Sequence, residues 1–519
     1  MNMKKTVKSV ISLLLCAIML CGICVNGFAA EEKTAFIAVS GMNTFPLYDS
    51  ENNKVYPLST STILDMVGKL LPPVMSYLVT KDADKLADKI FPVLKDVFGV
   101  IACNPDGTSV MDIHTDTFAS LVNETAFEDA KKDEEGIVNA AMKKYGAENT
   151  FFFNYDWRLD PLDHADDLNL FIKKVREETK CDRLALACFS MGGTVTLAYL
   201  AKYGSKDVDS VEFCSTAFQG TSVVGELYKG DIEVSLDGLF KRLAQLTRND
   251  TLEQIIYYLN DGLNKNGFNI KVSDWANDLV ASVKDRLYDE LLVPVFGSMP
   301  GMWAMAPDGD YEADMAFMFP DGADEKLLER TETYREIQKN AKNIIEEAMK
   351  DTNMYIFAQY NMAGLPVTPA GSHGNNDYLI DCVYASGGAT CSLLGETLGD
   401  GYTQKLYPEK NYLSPDGQID ASTCLLPEIT WFIRDMGHVD YPIGGASDFV
   451  FYFASEKEQK TVFDCDYPQF LKYSNGSKTL TPVTGEESNN ITAKILSFFY
   501  NIRNFFYEIF AKLKGIFSF

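Results

Sequence analysis

The sequence predicts an α/β fold, a mostly parallel sheet with helices on both faces, and two observations carry that reading. From Thr150 to Cys214, strand-like and helix-like stretches take turns at the spacing of crossover units. Within that alternation the apolar run Arg183-Leu-Ala-Leu-Ala-Cys188 breaks into Phe189-Ser190-Met191-Gly192-Gly193 and then a helical pattern. A serine on a sharp turn between strand and helix, flanked by small residues, has the layout of a nucleophile elbow. Cys188 stands where the usual G-x-S-x-G pattern has its first glycine.

Taken in order, residues 34–40 read as a buried strand ending in the turn Gly41-Met42-Asn43. Residues 61–102 carry two helical apolar patterns, split by Pro72-Pro73 and by the polar stretch 81–84, and residues 126–145 read as a charged amphipathic helix. The alternation follows, with strands at 150–154, 183–188 and 208–214 and helices at 165–179 and 193–203. A long helical insertion then suggests a cap over an active site. Beyond it, 354–360 reads as a strand, 431–437 as a helix and 449–453 as the last strand. The expected division is a signal peptide at 1–30, a core in two parts at 31–222 and 351–478, and a helical cap at 223–350. A linker at 479–490 and a terminal amphipathic helix at 491–519 complete it.

The two ends point to export and to a membrane surface. Lys4, Lys5 and Lys8, the apolar stretch 10–23 and Phe28-Ala29-Ala30 form a secretory leader, with a retained anchor as the alternative. At the other end Phe498, Phe499, Ile502, Phe505, Phe506 and Ile509 recur at helical spacing, with Lys494, Arg503, Lys512 and Lys514 near the boundaries. Such a helix lies in a lipid interface, its basic stems reaching toward headgroups. The expected location is secreted, at the outer face of the cell membrane. A net charge of −26 and the lack of a basic, aromatic-interleaved patch in the body exclude nucleic acid as a partner. No His-Cys cluster appears, so neither zinc nor another cofactor is expected. Among the cysteines outside the leader, Cys382 and Cys391 flank Gly387-Gly388 and form the best-placed pair for a disulfide.

A serine hydroxyl needs a base to take its proton, and the base needs an orienting carboxylate. The chain has four histidines. His114 and His164 precede the elbow, against the order serine, acid, histidine of α/β-hydrolases. His438 near the end of the fold is the expected base, with His373 as its rival. Asp416, bracketed by Pro415 and Gly417, is the expected acid, with Asp420, Asp435 and Asp440 as rivals. Backbone N–H groups of Met191 and of the Gly41-Met42 turn would form the oxyanion hole.

These pieces resemble the lecithin:cholesterol acyltransferase and lysosomal phospholipase A2 family of α/β-hydrolases. The matching segments are Val39-Ser40-Gly41-Met42, Asn154-Tyr155-Asp156-Trp157-Arg158, Ser190-Met191-Gly192-Gly193 and Phe218-Gln219-Gly220-Thr221-Ser222. Residues 298–307, 360–368, Pro415-Asp416-Gly417 and Gly437-His438 complete the set. The resemblance implies an α/β-hydrolase fold and acyl transfer from lipid esters through an acyl-enzyme on Ser190, with Asp416 and His438 completing the triad. It leaves Asp156, Trp157 and Arg158 as supports of the site. A soluble esterase or thioesterase, or an inactive lipid-binding scaffold, is the alternative.

Overall fold

Strands that are apolar on both faces can be satisfied only by neighbours on each side and by helices above and below. In the computed structural model, which describes residues 33–42, 46–115, 136–441 and 444–485, eight strands form one sheet, buried at its centre and exposed at the β8 edge. They are β1 (Thr34–Val39), β2 (Thr150–Phe153), β3 (Arg183–Phe189), β4 (Ser210–Cys214), β5 (Asn353–Tyr360), β6 (Thr430–Arg434), β7 (Phe470–Ser474) and β8 (Thr479–Pro482). Their order across the sheet is β8-β7-β6-β5-β4-β3-β1-β2. Every pairing is parallel except that of β7 with β8. All eight residues of β5 are buried, as a central strand requires.

The principal helices are α1 (Thr60–Thr80), α2 (Ala83–Phe98), α3 (Pro161–Thr179), α4 (Gly192–Tyr203), α5 (Leu236–Leu246), α6 (Asp250–Lys265), α7 (Phe268–Leu287) and α8 (Gly445–Ser455). α3 starts where Asp160 accepts from the Leu162 N–H at 2.9 Å and Pro161 fills the first helical position. It packs on α4, while α8 lies against β3 and β4.

Three readings need correcting. The 449–453 run is not a strand but part of α8, where Phe449 and Phe453 share one face with ring centroids 5.0 Å apart. Residues 431–437 are not a helix: 430–434 form β6, because the run fits between β5 and β7. The linker expected at 479–490 begins as strand β8, whose Pro482 is tolerated because β8 is an edge. The leader at 1–30 and the helix at 491–519 lie outside the described residues.

Between β4 and β5 the chain is largely helical, from Ser222–Tyr228 to Ala341–Ala348. α5, α6 and α7 pack on one another, α7 packs on α2, and α2 on α1. α1 is long and apolar enough to cross a membrane by length and composition. It buries Tyr77 but exposes Ile63, Leu64, Val67, Leu71, Met75, Leu78 and Val79. Its Asp65 and Lys69 pair with each other at 2.7 Å. Inside the sheet, Glu212 of β4 is fully buried, and burial pushes its carboxyl up to about 8 against the weaker opposing pull of Ser210 and Arg183.

Candidate active site

Ser190 sits at φ 54 between β3 and α4, in the left-handed region that costs a non-glycine residue backbone strain. The small neighbours are required by contact. A Cβ on Gly192 would stand 2.6 Å from the Ser40 carbonyl oxygen, and one on Gly193 would stand 2.4 Å from Thr216 Cβ. Cys188 needs no such exemption: it is still inside β3, buried, with its Sγ donating to the Glu212 carbonyl at 3.4 Å. The loop after β1 lies against Ser190, since a Cβ on Gly41 would fall 2.8 Å from Ser190 Cβ. Met42 follows on the exposed side, and Met191 caps the start of α4.

Parallel strands deliver their C-terminal ends to one edge of the sheet, and the loops after β3, β4, β5 and β6 meet there. The Ser190 N–H donates to Cys214 O at 3.4 Å. The next residue, Ser215, donates its hydroxyl to Asp377 Oδ2. Asp377 Oδ2 in turn takes the His438 ring at Nδ1, 2.7 Å away, while the His438 N–H donates to Asp377 O at 2.7 Å. Asp377 Oδ1 accepts from the Leu379 and Ile380 N–H groups at 2.9 and 2.8 Å. Burial would raise this carboxyl, but the facing imidazole and the donors from His438, Ser215 and Ile380 outweigh it and hold it below the usual carboxylate range. Packing reinforces the convergence. Phe189 and Tyr441 rings lie 6.0 Å apart, and a Cβ on Gly437 would press within 2.5 Å of the Tyr378 ring.

The carboxylate that meets His438 is therefore Asp377, where Asp416 was expected. Asp416 does lie in a turn, with Gly417 at φ 70, but its carboxylate points inward. It accepts from Tyr360 Oη at 3.0 Å, from Ser414 Oγ at 2.6 Å and from Arg434 Nη1. Tyr360 and Arg434 are paired residues at the ends of β5 and β6, so Asp416 fastens together the two strands that carry Asp377 and His438. The rivals are committed elsewhere: Asp420 to Tyr402, Asp435 to Asn361, and Asp440 to Arg248 at 2.7 Å. His373 is exposed and pairs with Glu233 at 3.0 Å, and His114 meets Asn52. The sequence signal for Asp377 was its place in Asn375-Asn376-Asp377, in the loop after the strand that precedes the histidine's strand.

Asp156 and Arg158 form a buried ion pair at 2.6 Å, and Arg158 also donates to Ile101 O and Ser109 Oγ. A Cβ on Gly301 would collide with Trp157 O at 2.0 Å. The triplet thus braces the segments at 101–109 and 300–301. A cavity of about 550 Å³ between His114, Asn154 and His164 is lined by none of Ser190, Asp377 and His438. Among the described residues no group of three or more His, Cys, Asp or Glu side chains is placed to hold a metal ion.

Residues 160–269, which include β3, the elbow and α4, match the family described as serine aminopeptidase, S33. Comparison with curated proteins gives no match. Among solved structures the chain is similar to one described as the Tle4-Tli4 complex, at 10% identity over 63% of this chain and 75% of that one. The TM-score there is 0.25, too low to carry an argument. Sheet order, elbow and family match together make this a hydrolase-type chain of the α/β-hydrolase fold.

Proposed function

We propose that the protein is a serine-dependent acyl hydrolase that acts on lipid esters at a membrane surface. The observation that carries the reading is the pair of His438 with the buried Asp377, joined through Ser215 to the loop that also binds Ser190. Asp377 fixes the ring so that Nδ1 carries the proton and Nε2 is the base. Ser190 Oγ adds to the ester carbonyl as Nε2 takes its proton, and the N–H groups of Met191 and the Gly41-Met42 turn receive the developing oxyanion. The alcohol leaves with the proton from Nε2. Water, deprotonated by the same nitrogen, then cleaves the acyl-enzyme. An alcohol in place of water would give acyl transfer by the same steps.

The lipid part of the reading rests on three supports. They are the apolar solvent face of α1, the resemblance to the lipid acyl-transfer family, and the amphipathic pattern at 491–519. A peptidase is the second reading, favoured by the family matched over 160–269. The test offers the full chain phosphatidylcholine vesicles, short p-nitrophenyl esters and aminoacyl p-nitroanilides, beside Ser190→Ala. Fatty-acid release from vesicles that is lost in Ser190→Ala supports the proposal. Turnover of the anilides alone would replace it with the peptidase.

A further inference from the structure

Three thiols converge beside the loop that carries Asp377. That loop closes on itself, since the Cys382 N–H donates to Asn375 O at 3.0 Å with Asp377 lying between them in sequence. Cys382 then opens the short helix Cys382–Ala385, and the chain reverses through Gly387 and Gly388 at φ 68 and 115. Such angles suit glycine. The reversal is pinned by the Gly388 N–H on Val383 O at 2.6 Å and the Ala389 N–H on Ser386 Oγ at 3.1 Å. The returning Thr390–Cys391 strand pairs antiparallel with Ile419–Asp420. This path sets the short helix Cys382–Ala385 against the Thr390–Cys391 strand, where the Cys391 thiol donates to Ala389 O at 3.4 Å, and Cys391 and Cys424 add to the burial that holds the Cys382 thiol up. Cys382 and Cys424 are buried and Cys391 is half-buried, so Cys391 is the thiol that a reagent reaches.

We propose that Cys382 and Cys391 form a reversible disulfide that fastens the Asp377 loop to the hairpin of Thr390–Cys391 and Ile419–Asp420. The oxidant is a disulfide, RS–SR, small or protein-borne. The Cys391 thiolate attacks one of its sulfurs and expels RS⁻. The Cys382 sulfur then attacks the Cys391 sulfur of the mixed disulfide and expels the second RS⁻. The two cysteines give up two electrons and two protons, and the oxidant leaves as two RSH. Closing this short loop removes freedom from the unfolded chain and restrains the turn after Asp377.

The proposal concerns the thiols alone, so its test does not depend on the substrate. The full chain is equilibrated with excess oxidised glutathione, alkylated in denaturant and mapped by peptide mass. The expected result is a Cys382–Cys391 cross-linked peptide that dithiothreitol releases, with Cys103, Cys188 and Cys214 alkylated. The oxidised protein also unfolds at higher urea than the reduced protein, followed by tryptophan fluorescence, and Cys391→Ser shows no such difference. Alkylation of both Cys382 and Cys391 after oxidation would overturn the proposal. So would a Cys391–Cys424 link, or the same urea midpoint for both forms of the wild type.

Discussion

Two buried carboxylates stand at the same edge of the sheet, one in the loop after β5 and one in the turn before β6, and their partners set them apart. Asp377 faces an imidazole, a hydroxyl and two backbone N–H groups. Asp416 faces a guanidinium, a phenol and the turn's own serine. A histidine partner has a second ring nitrogen that can accept a proton. An arginine partner is permanently charged and makes a clamp. The turn residues around Asp416 look more like an acid's setting than the plain loop around Asp377, so the partner, not the turn, decides the role.

The largest expected effect separates the two directly. Asp377→Asn removes the group that orients His438 and lowers ester turnover on the order of 10⁴-fold with little change in KM. Asp416→Asn removes the charge from one of Arg434's carboxylate partners, with Asp435 remaining 3.4 Å from its Nε, and costs about 1–3 kcal/mol of stability, read as a lower urea midpoint, while the folded protein still turns over ester.

A third buried carboxyl sharpens the contrast. Glu212, raised to about 8 mainly by burial, keeps its proton when folded, while its unfolded counterpart releases it near 4.5. Above that pH the unfolded state binds fewer protons, so stability falls as pH rises toward 8. Glu212→Gln abolishes that fall and gains on the order of 3 kcal/mol at pH 8, measured by urea unfolding at pH 5 and 8.

Smaller effects test the surroundings. Leu64→Asp with Leu71→Asp on the exposed face of α1 lowers vesicle hydrolysis by at least about 100-fold and spares short esters, since each leucine gains about 1.5–3 kcal/mol on entering an apolar phase. Ser215→Ala removes one donor from Asp377 and lowers kcat about tenfold, with KM unchanged.

The elbow turn and the parallel strands through β5 were legible because each depends on local pattern: an apolar run and small residues at a close approach. Asp377 was not, because its role comes from Ser215 and His438, which are far away in sequence and meet it only through sheet order. The run 449–453 misled for a related reason. A run of five apolar residues, four of them buried on the sheet, reads alike as strand or helix, and only packing against β3 and β4 decides. The same holds for 431–434, whose place between β5 and β7 no local pattern reports.

The most direct test of the central claim is labelling by a fluorophosphonate, which reports an activated serine without needing the natural substrate. Wild type, Asp377→Asn and Asp416→Asn are labelled at a temperature where all three are folded, and the adduct is mapped by mass. The account predicts labelling at Ser190 in the wild type, at a similar rate in Asp416→Asn, and strongly slowed in Asp377→Asn. Rapid labelling of Asp377→Asn, with Asp416→Asn inert, would return the acid to Asp416. An adduct on another serine would remove Ser190 from the site.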